Sequence, residues 1–270
     1  MIDRHHRFES LHRSADLLVL PTVWDAGSAR LVEDCGAQAL GTSSAAMAWS
    51  CGHADACVLP EDALLERVRQ ILRVTTLPLT VDIENGYSDD PQQVAARVLR
   101  LADLGVVGIN IEDGEGSVEL LAAKIAAVRC ALAGRPLFIN ARTDVYLRGL
   151  AEGAQAVALS VQRLQACAQA GADGGFVPGL QAVAEVADVA AQVALPLNLM
   201  ALPGMAPADH LRQAGVRRLS AGPALFLQAW AATAAATRTL LQGGMLVGAA
   251  AASYPDVDRC FAITDGRQAQ

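Results

Sequence analysis

The stretch LPLTVDIENGYSDDPQQVAARVLRLADLGVVGINIEDG, residues 77–114, decides the fold. Each end is a short run of branched and apolar residues closed by acids, and the middle, PQQVAARVLRLADLG, repeats its apolar residues at helical spacing. A strand, a crossover helix and a second strand in that order pair in parallel, because the helix returns the chain to the end of the sheet from which it started. Similar strand candidates lie on either side: 17–25, 37–44, 135–144, 171–179, 195–204 and 216–224. With 77–87 and 106–114 they make eight, several of them separated by amphipathic stretches such as PEDALLERVRQILRV. Short apolar runs bounded by Gly and Pro suit strands buried on both faces. Eight strand–helix units in this length predict an α/β chain folded as a (β/α)8 TIM-type barrel. A doubly wound open sheet is the alternative, but it usually carries a phosphate loop, and Gly114-Glu115-Gly116 lacks the third glycine of that motif.

The chain has 270 residues, of which 53% are hydrophobic and 18% charged, enough apolar material for a large core and too much for disorder. One domain over 1–270 is the economical reading, with the barrel at about 17–230 and a C-terminal helical extension at about 225–270. A formal net charge of −7 argues against nucleic acid or an anionic membrane as partner. No apolar run reaches the roughly 18 residues that cross a bilayer. The N-terminus, MIDRHHRFESLHRSAD, lacks a signal-peptide pattern and reads as a surface helix. Six cysteines without a C-x-x-C pair fit a reducing cytoplasm.

Active sites of such barrels lie at the C-terminal ends of the strands. The runs end in Trp24-Asp25, Thr42-Ser43-Ser44, Asp82-Ile83-Glu84-Asn85, Glu112-Asp113, Arg142-Thr143-Asp144, Asn198 and Ser220. Asp82 and Glu84, two apart on a strand, leave the same face, and Glu112 closes the next strand beside them. Clustered carboxylates repel unless a cation sits among them, and a hard, partly hydrated ion such as Mg²⁺, with Mn²⁺ as the alternative, suits oxygen ligands. Helix capping accounts equally well for Asp25, Asp113 and Asp144. Arg142 either neutralises the acids or forks onto a substrate carboxylate. Lys124, the only lysine, lies in the helical run VELLAAKIAAVRCAL, far from any strand end, which argues against Schiff-base chemistry. The few histidines (5, 6, 12, 53 and 210) leave little material for a triad, although His53 could reach the mouth.

WDAGSARLVEDCGAQALGTSSA, VDIENGY, GVVGINIEDG, INARTD, GADGGFVPG, PLNLMA and GVRRLSAGP together resemble the isocitrate lyase and phosphoenolpyruvate mutase superfamily, over about residues 18–230. The resemblance is to a phosphonomutase-like, short-loop member. It implies a barrel, commonly tetrameric, whose C-terminal helix is exchanged between subunits. It also implies Asp82 as the direct metal ligand, with Glu84, Glu112 and Asp55 holding the ion directly or through water. Thr42, Ser43 and Ser44 would cradle a substrate carboxylate or phosphonyl group, Arg142 would contact the 2-oxo or 2-hydroxy acid portion, and Trp24 and Asn198 would line the pocket. Arg142, Glu112 and Asp55 are the catalytic candidates.

The family's lyases carry a long loop after the fourth strand with K-K-C-G-H or K-R-C-G-H, whose cysteine handles a proton. Here Gly114-Glu115-Gly116-Ser117 leads straight into a helix, and the asparagine-bearing lid of the phosphonate mutases is missing too. Cys51-Gly52-His53 follows the second strand and lacks the two basic residues, so the likeness is coincidental. The expected activity is Mg²⁺-dependent carbon–carbon cleavage in a small 2-oxo or 2-hydroxy carboxylic acid. The alternatives are a phosphonate or phosphoenolpyruvate mutase or hydrolase, and a non-catalytic 2-oxo-acid-binding barrel. The apolar run ALFLQAWAATAAATRTLLQGGMLVGAAAASYPD, over more than one helix face, predicts a homodimer or homotetramer built partly on residues 225–253.

Overall fold

The computed structural model describes residues 3–246 and 252–262. All eight expected runs form strands of one parallel sheet: β1 (Leu18–Leu20) with β2 (Thr22–Val23), β3 (Leu40–Thr42), β4 (Leu79–Asp82), β5 (Gly108–Glu112), β6 (Phe138–Arg142), β7 (Gly174–Phe176), β8 (Leu197–Met200) and β9 (Val216–Ser220). The count is nine because Pro21, which has no N–H to donate, interrupts the first run. That break closes the barrel. β1 pairs with β9, β2 pairs with β3, and the Pro21 carbonyl accepts from the Gly41 N–H at 3.0 Å.

Helices cover the outside: α1 (Arg4–Arg13), α2 (Ala26–Asp34), α3 (Ser44–Ser50), α4 (Glu61–Val74), α5 (Pro91–Asp103), α6 (Val118–Leu132), α7 (Gly153–Gln169), α8 (Val183–Gln192), α9 (Ala208–Gln213), α10 (Ala224–Leu241) and α11 (Tyr254–Ala262). Strand alternation sends Val81, Ile83, Ile109, Ile111 and Ile139 into the core shared with α4, α5 and α6. The intervening residues Asp82, Asn110 and Asn140 pair side by side along β4, β5 and β6 and face the interior.

Two sequence readings change here. α1 is not simply a surface helix, since Phe8 and His12, one turn apart, are buried against Phe138 beneath the barrel. Lys124 is not remote from the strand ends: its buried ammonium donates to the Asn85 carbonyl at 2.9 Å, in the loop after β4. α10 buries only Phe226 and leaves Leu227, Trp230, Leu240 and Leu241 exposed. Residues 247–251 and 263–270, within the expected C-terminal extension, lie outside the described residues. No described helix is long and apolar enough to cross a membrane.

Candidate active site

Glu84 just beyond β4, the acid closing β5 and the arginine closing β6 open into a cleft of about 700 Å³ at the C-terminal end of the barrel. Ser44, Asp55, Cys57, Glu84, Glu112, Arg142 and Asp144 line it. Register places Glu112 directly opposite Arg142, and the guanidinium Nη1 meets the Glu112 carboxylate at 2.6 Å. Its Nε and Nη2 fork onto Asp144 at 2.6 and 3.0 Å. Arg142 also lies over the Phe176 ring, 5.8 Å from its centroid.

Glu84 arrives by a different route from the one its spacing suggests. β4 ends at Asp82, whose Oδ1 accepts the Glu84 N–H at 3.0 Å. Such an Asx-type contact turns the chain out of the strand. Glu84 (φ 51°) and Tyr87 (φ 58°) are then left-handed around Gly86, so strand alternation no longer governs Glu84. Its carboxylate accepts the Cys57 N–H at 2.6 Å. Arg97 and Lys124 hold this turn from outside, through the carbonyls of Gly86 and Asn85.

Asp82 is buried at the end of β4 and does not itself line the cleft; its N–H donates to Thr42 Oγ1 at 2.9 Å. Burial raises its pKa. Burial also pushes Glu112 up to about 8 against the opposing pull of Arg142, with Asp82, Asp144 and Glu84 adding to the rise. Asp55, which lines the cleft beside Ser44, is raised by burial and by Glu84 and Asp82. The acids therefore outweigh the cations that face them.

Among the described residues no three His, Cys, Asp or Glu side chains converge tightly enough to hold a metal ion directly. Hard oxygen donors with surplus negative charge, spread around an open cleft, instead fit a dication that keeps several waters.

The remaining candidates separate by position. Ser43 caps α3, with its hydroxyl 3.4 Å from the Ala46 N–H. Asp25 forms a capping box with Ser28. Asp113 is buried and accepts from Thr143, the Asp144 N–H and Arg163, which ties the β5 and β6 ends to α7. Trp24 packs edge-on against Phe226 at 5.2 Å and borders an apolar groove beside α2 and α10. Asn198 is buried, its Oδ1 accepting from Ser220 at 2.9 Å. Neither lines the acid cleft. Sequence reasoning did not find Cys57, for which the left-handed backbone (φ 54°) offers no local signal.

Residues 8–241 match the family model described as phosphoenolpyruvate phosphomutase. Oxaloacetate decarboxylase of Bradyrhizobium diazoefficiens is 31% identical, covering 81% of this chain and 76% of its own. 2-Methylisocitrate lyase of Bacillus subtilis is 31% identical, covering 71% of this chain and 65% of its own. The solved structure of a candidate phosphonomutase from Burkholderia cenocepacia J2315 superposes with a TM-score of 0.83 at 39% identity, over 89% of this chain and 98% of that one.

Proposed function

The chain belongs to the phosphoenolpyruvate phosphomutase family, and from that premise we propose that it is a Mg²⁺-dependent lyase acting on a small 2-oxo or 2-hydroxy carboxylic acid. The observation that carries this reading is the Glu112–Arg142–Asp144 constellation at the edge of an acid cleft. When bound, Mg²⁺ held by Asp82, Glu84, Glu112 and Asp55 supplies Lewis-acid stabilisation of developing oxyanion charge. Arg142 keeps donors for the substrate carboxylate and neutralises the enolate left when the carbon–carbon bond breaks. In decarboxylation of a 2-oxo diacid, the bond to the departing carboxylate breaks and its electron pair enters the enolate. A proton from solvent then yields the 2-oxo monoacid. The deciding assay is release of carbon dioxide, pyruvate or glyoxylate from a panel of 2-oxo and 2-hydroxy diacids with Mg²⁺. Thermal stabilisation by these acids without turnover would favour a binding protein instead. The likeness to a phosphonomutase structure makes a phosphonate mutase or hydrolase the second reading, tested by adding phosphonopyruvate to the panel.

The β5–α6 connection is only Asp113 to Ser117, and Ser117 already caps α6. It carries no cysteine to protonate a departing succinate, and general-acid help of that kind is typically worth about 10²–10⁴-fold. Isocitrate and 2-methylisocitrate are therefore expected to turn over far below the roughly 10 s⁻¹ of an ordinary enzyme. Isocitrate cleavage at that rate would overturn the lid argument.

Protons compete with a cation for Asp55, Asp82 and Glu112, all raised by burial. Mn²⁺ affinity should accordingly strengthen as pH rises from about 6 to about 8. Calorimetric titration showing a flat profile would count against these ligands. The uncovered apolar face of α10 supports a dimer or tetramer with the C-terminal helix exchanged. Light scattering that finds a monomer at micromolar concentration would refute it.

A further inference from the structure

Beneath the acid cleft, the barrel interior contains a cation that the proposed chemistry does not use. Arg218, on β9, is 1% exposed and makes no ion pair among the described residues. A buried guanidinium without a carboxylate partner is costly, so what it touches matters. Its Nε donates to Ser220 Oγ at 2.9 Å, and its Nη2 reaches Asn110 Oδ1 at 3.2 Å. Asn110 lies on β5, which is not a sheet neighbour of β9, so this contact crosses the interior. The same Oδ1 accepts from Asn140 Nδ2 at 2.9 Å, and Asn110 Nδ2 donates to Asp82 Oδ2 at 3.4 Å. Burial lowers the pKa of Arg218 to about 9, and the charge of Asp82 opposes that fall.

An asparagine amide can sit either way round, and its two ends do opposite things to a carboxylate. With NH₂ toward Asp82, Asn110 donates to the ion; reversed, it would present a second oxygen and repel it. Asn140 cannot settle the choice, because its own amide can turn to match. Arginine only donates. A guanidinium beside Asn110 therefore requires the oxygen on its own side and sends the NH₂ to Asp82.

We propose that Arg218 is a positioning residue: through Asn110 it holds the Asp82 carboxylate in the orientation that presents it to the cation. This rests on the reading of Asp82 as the cation-holding residue. Asp82 is then constrained at both oxygens, Oδ1 by the Glu84 N–H and Oδ2 by Asn110. Outer contacts of this kind orient metal ligands elsewhere.

The test uses the full-length protein with Arg218→Met, Arg218→Lys and Asn110→Leu, each checked by circular dichroism. Side-chain amide NMR, with the Asn110 pair assigned by its loss in Asn110→Leu, reports the contact without any metal. Mn²⁺ titration reports the consequence. The expected result is a slowly exchanging Asn110 pair in the wild type and in Arg218→Lys, which keeps a donor. Arg218→Met should lose it, with Mn²⁺ affinity falling about 10–100-fold. If Arg218→Met does not fold, Arg218→Gln, which can present either end of its amide, replaces it with the same expectation. A protected Asn110 pair in either variant, or its loss with unchanged affinity, would overturn the proposal. A wild type that takes up no Mn²⁺ would sink the cation reading of the cleft, while the amide signal would still decide whether Arg218 orients Asn110.

Discussion

Replacing Arg142 with methionine is expected to cost both stability and turnover. Among the described residues the guanidinium is the one cation bonded to Glu112 and to Asp144, whose side chains are 16% and 5% exposed. Removing one partner of a buried pair leaves the other charge uncompensated, which typically costs about 3–5 kcal/mol. The loss should depend on pH. Glu112 is raised to about 8 in the folded chain, above its unfolded value, so its own contribution to stability is full below the unfolded value and fades as pH rises through about 8. Protonated Glu112 needs no counter-charge, so the destabilisation by Arg142→Met should be smaller in acid and largest in alkali. Turnover should fall by about 10²–10³-fold, as when an enzyme loses one donor to a developing oxyanion. Arg142→Lys keeps the charge but not the fork, and should recover stability better than rate. Urea unfolding at two pH values, with kcat on the best substrate, checks both parts. An unchanged midpoint and rate in Arg142→Met would refute the assignment.

Asp82→Ala should separate the two effects. Asp82 is buried and held by hydrogen bonds from Glu84 and Asn110, and makes no ion pair among the described residues. Deleting a carboxylate whose charge burial already disfavours should leave the melting temperature unchanged or higher. Cation affinity should drop by more than the roughly 10–100-fold typical of an outer contact, and turnover should vanish with it. The measurements are Mn²⁺ titration, thermal melting and activity with and without excess EDTA. Wild-type activity that persists in EDTA would show that the acids of this cleft serve another purpose.

The strand–helix alternation was legible in the sequence because it is a local property: every expected strand contains an observed one. Local too was the short β5–α6 connection, since five residues leave no room for a lid. Glu112 and Arg142 could be placed together because each closes a strand, and parallel register sets neighbouring strand ends side by side. What lies across the barrel was not legible. Asn110 and Arg218 are 108 positions apart on strands that share no ladder, and periodicity says which face a side chain takes but not what it meets there. Asp113 and Asp144 both lie just beyond strand ends, yet one is tied to Arg163 and the other turns to Arg142, a choice made by the packing of α7. Trp24 directly follows a strand, much as Glu112 closes another, but the aromatic cluster with Phe226 draws Trp24 to the outer groove. Sequence by itself determined the order of strands and helices and which residues fall at the strand ends. Only tertiary structure decided which of them share a cleft, because burial, turn geometry and contacts between distant strands compete for each side chain once the barrel closes.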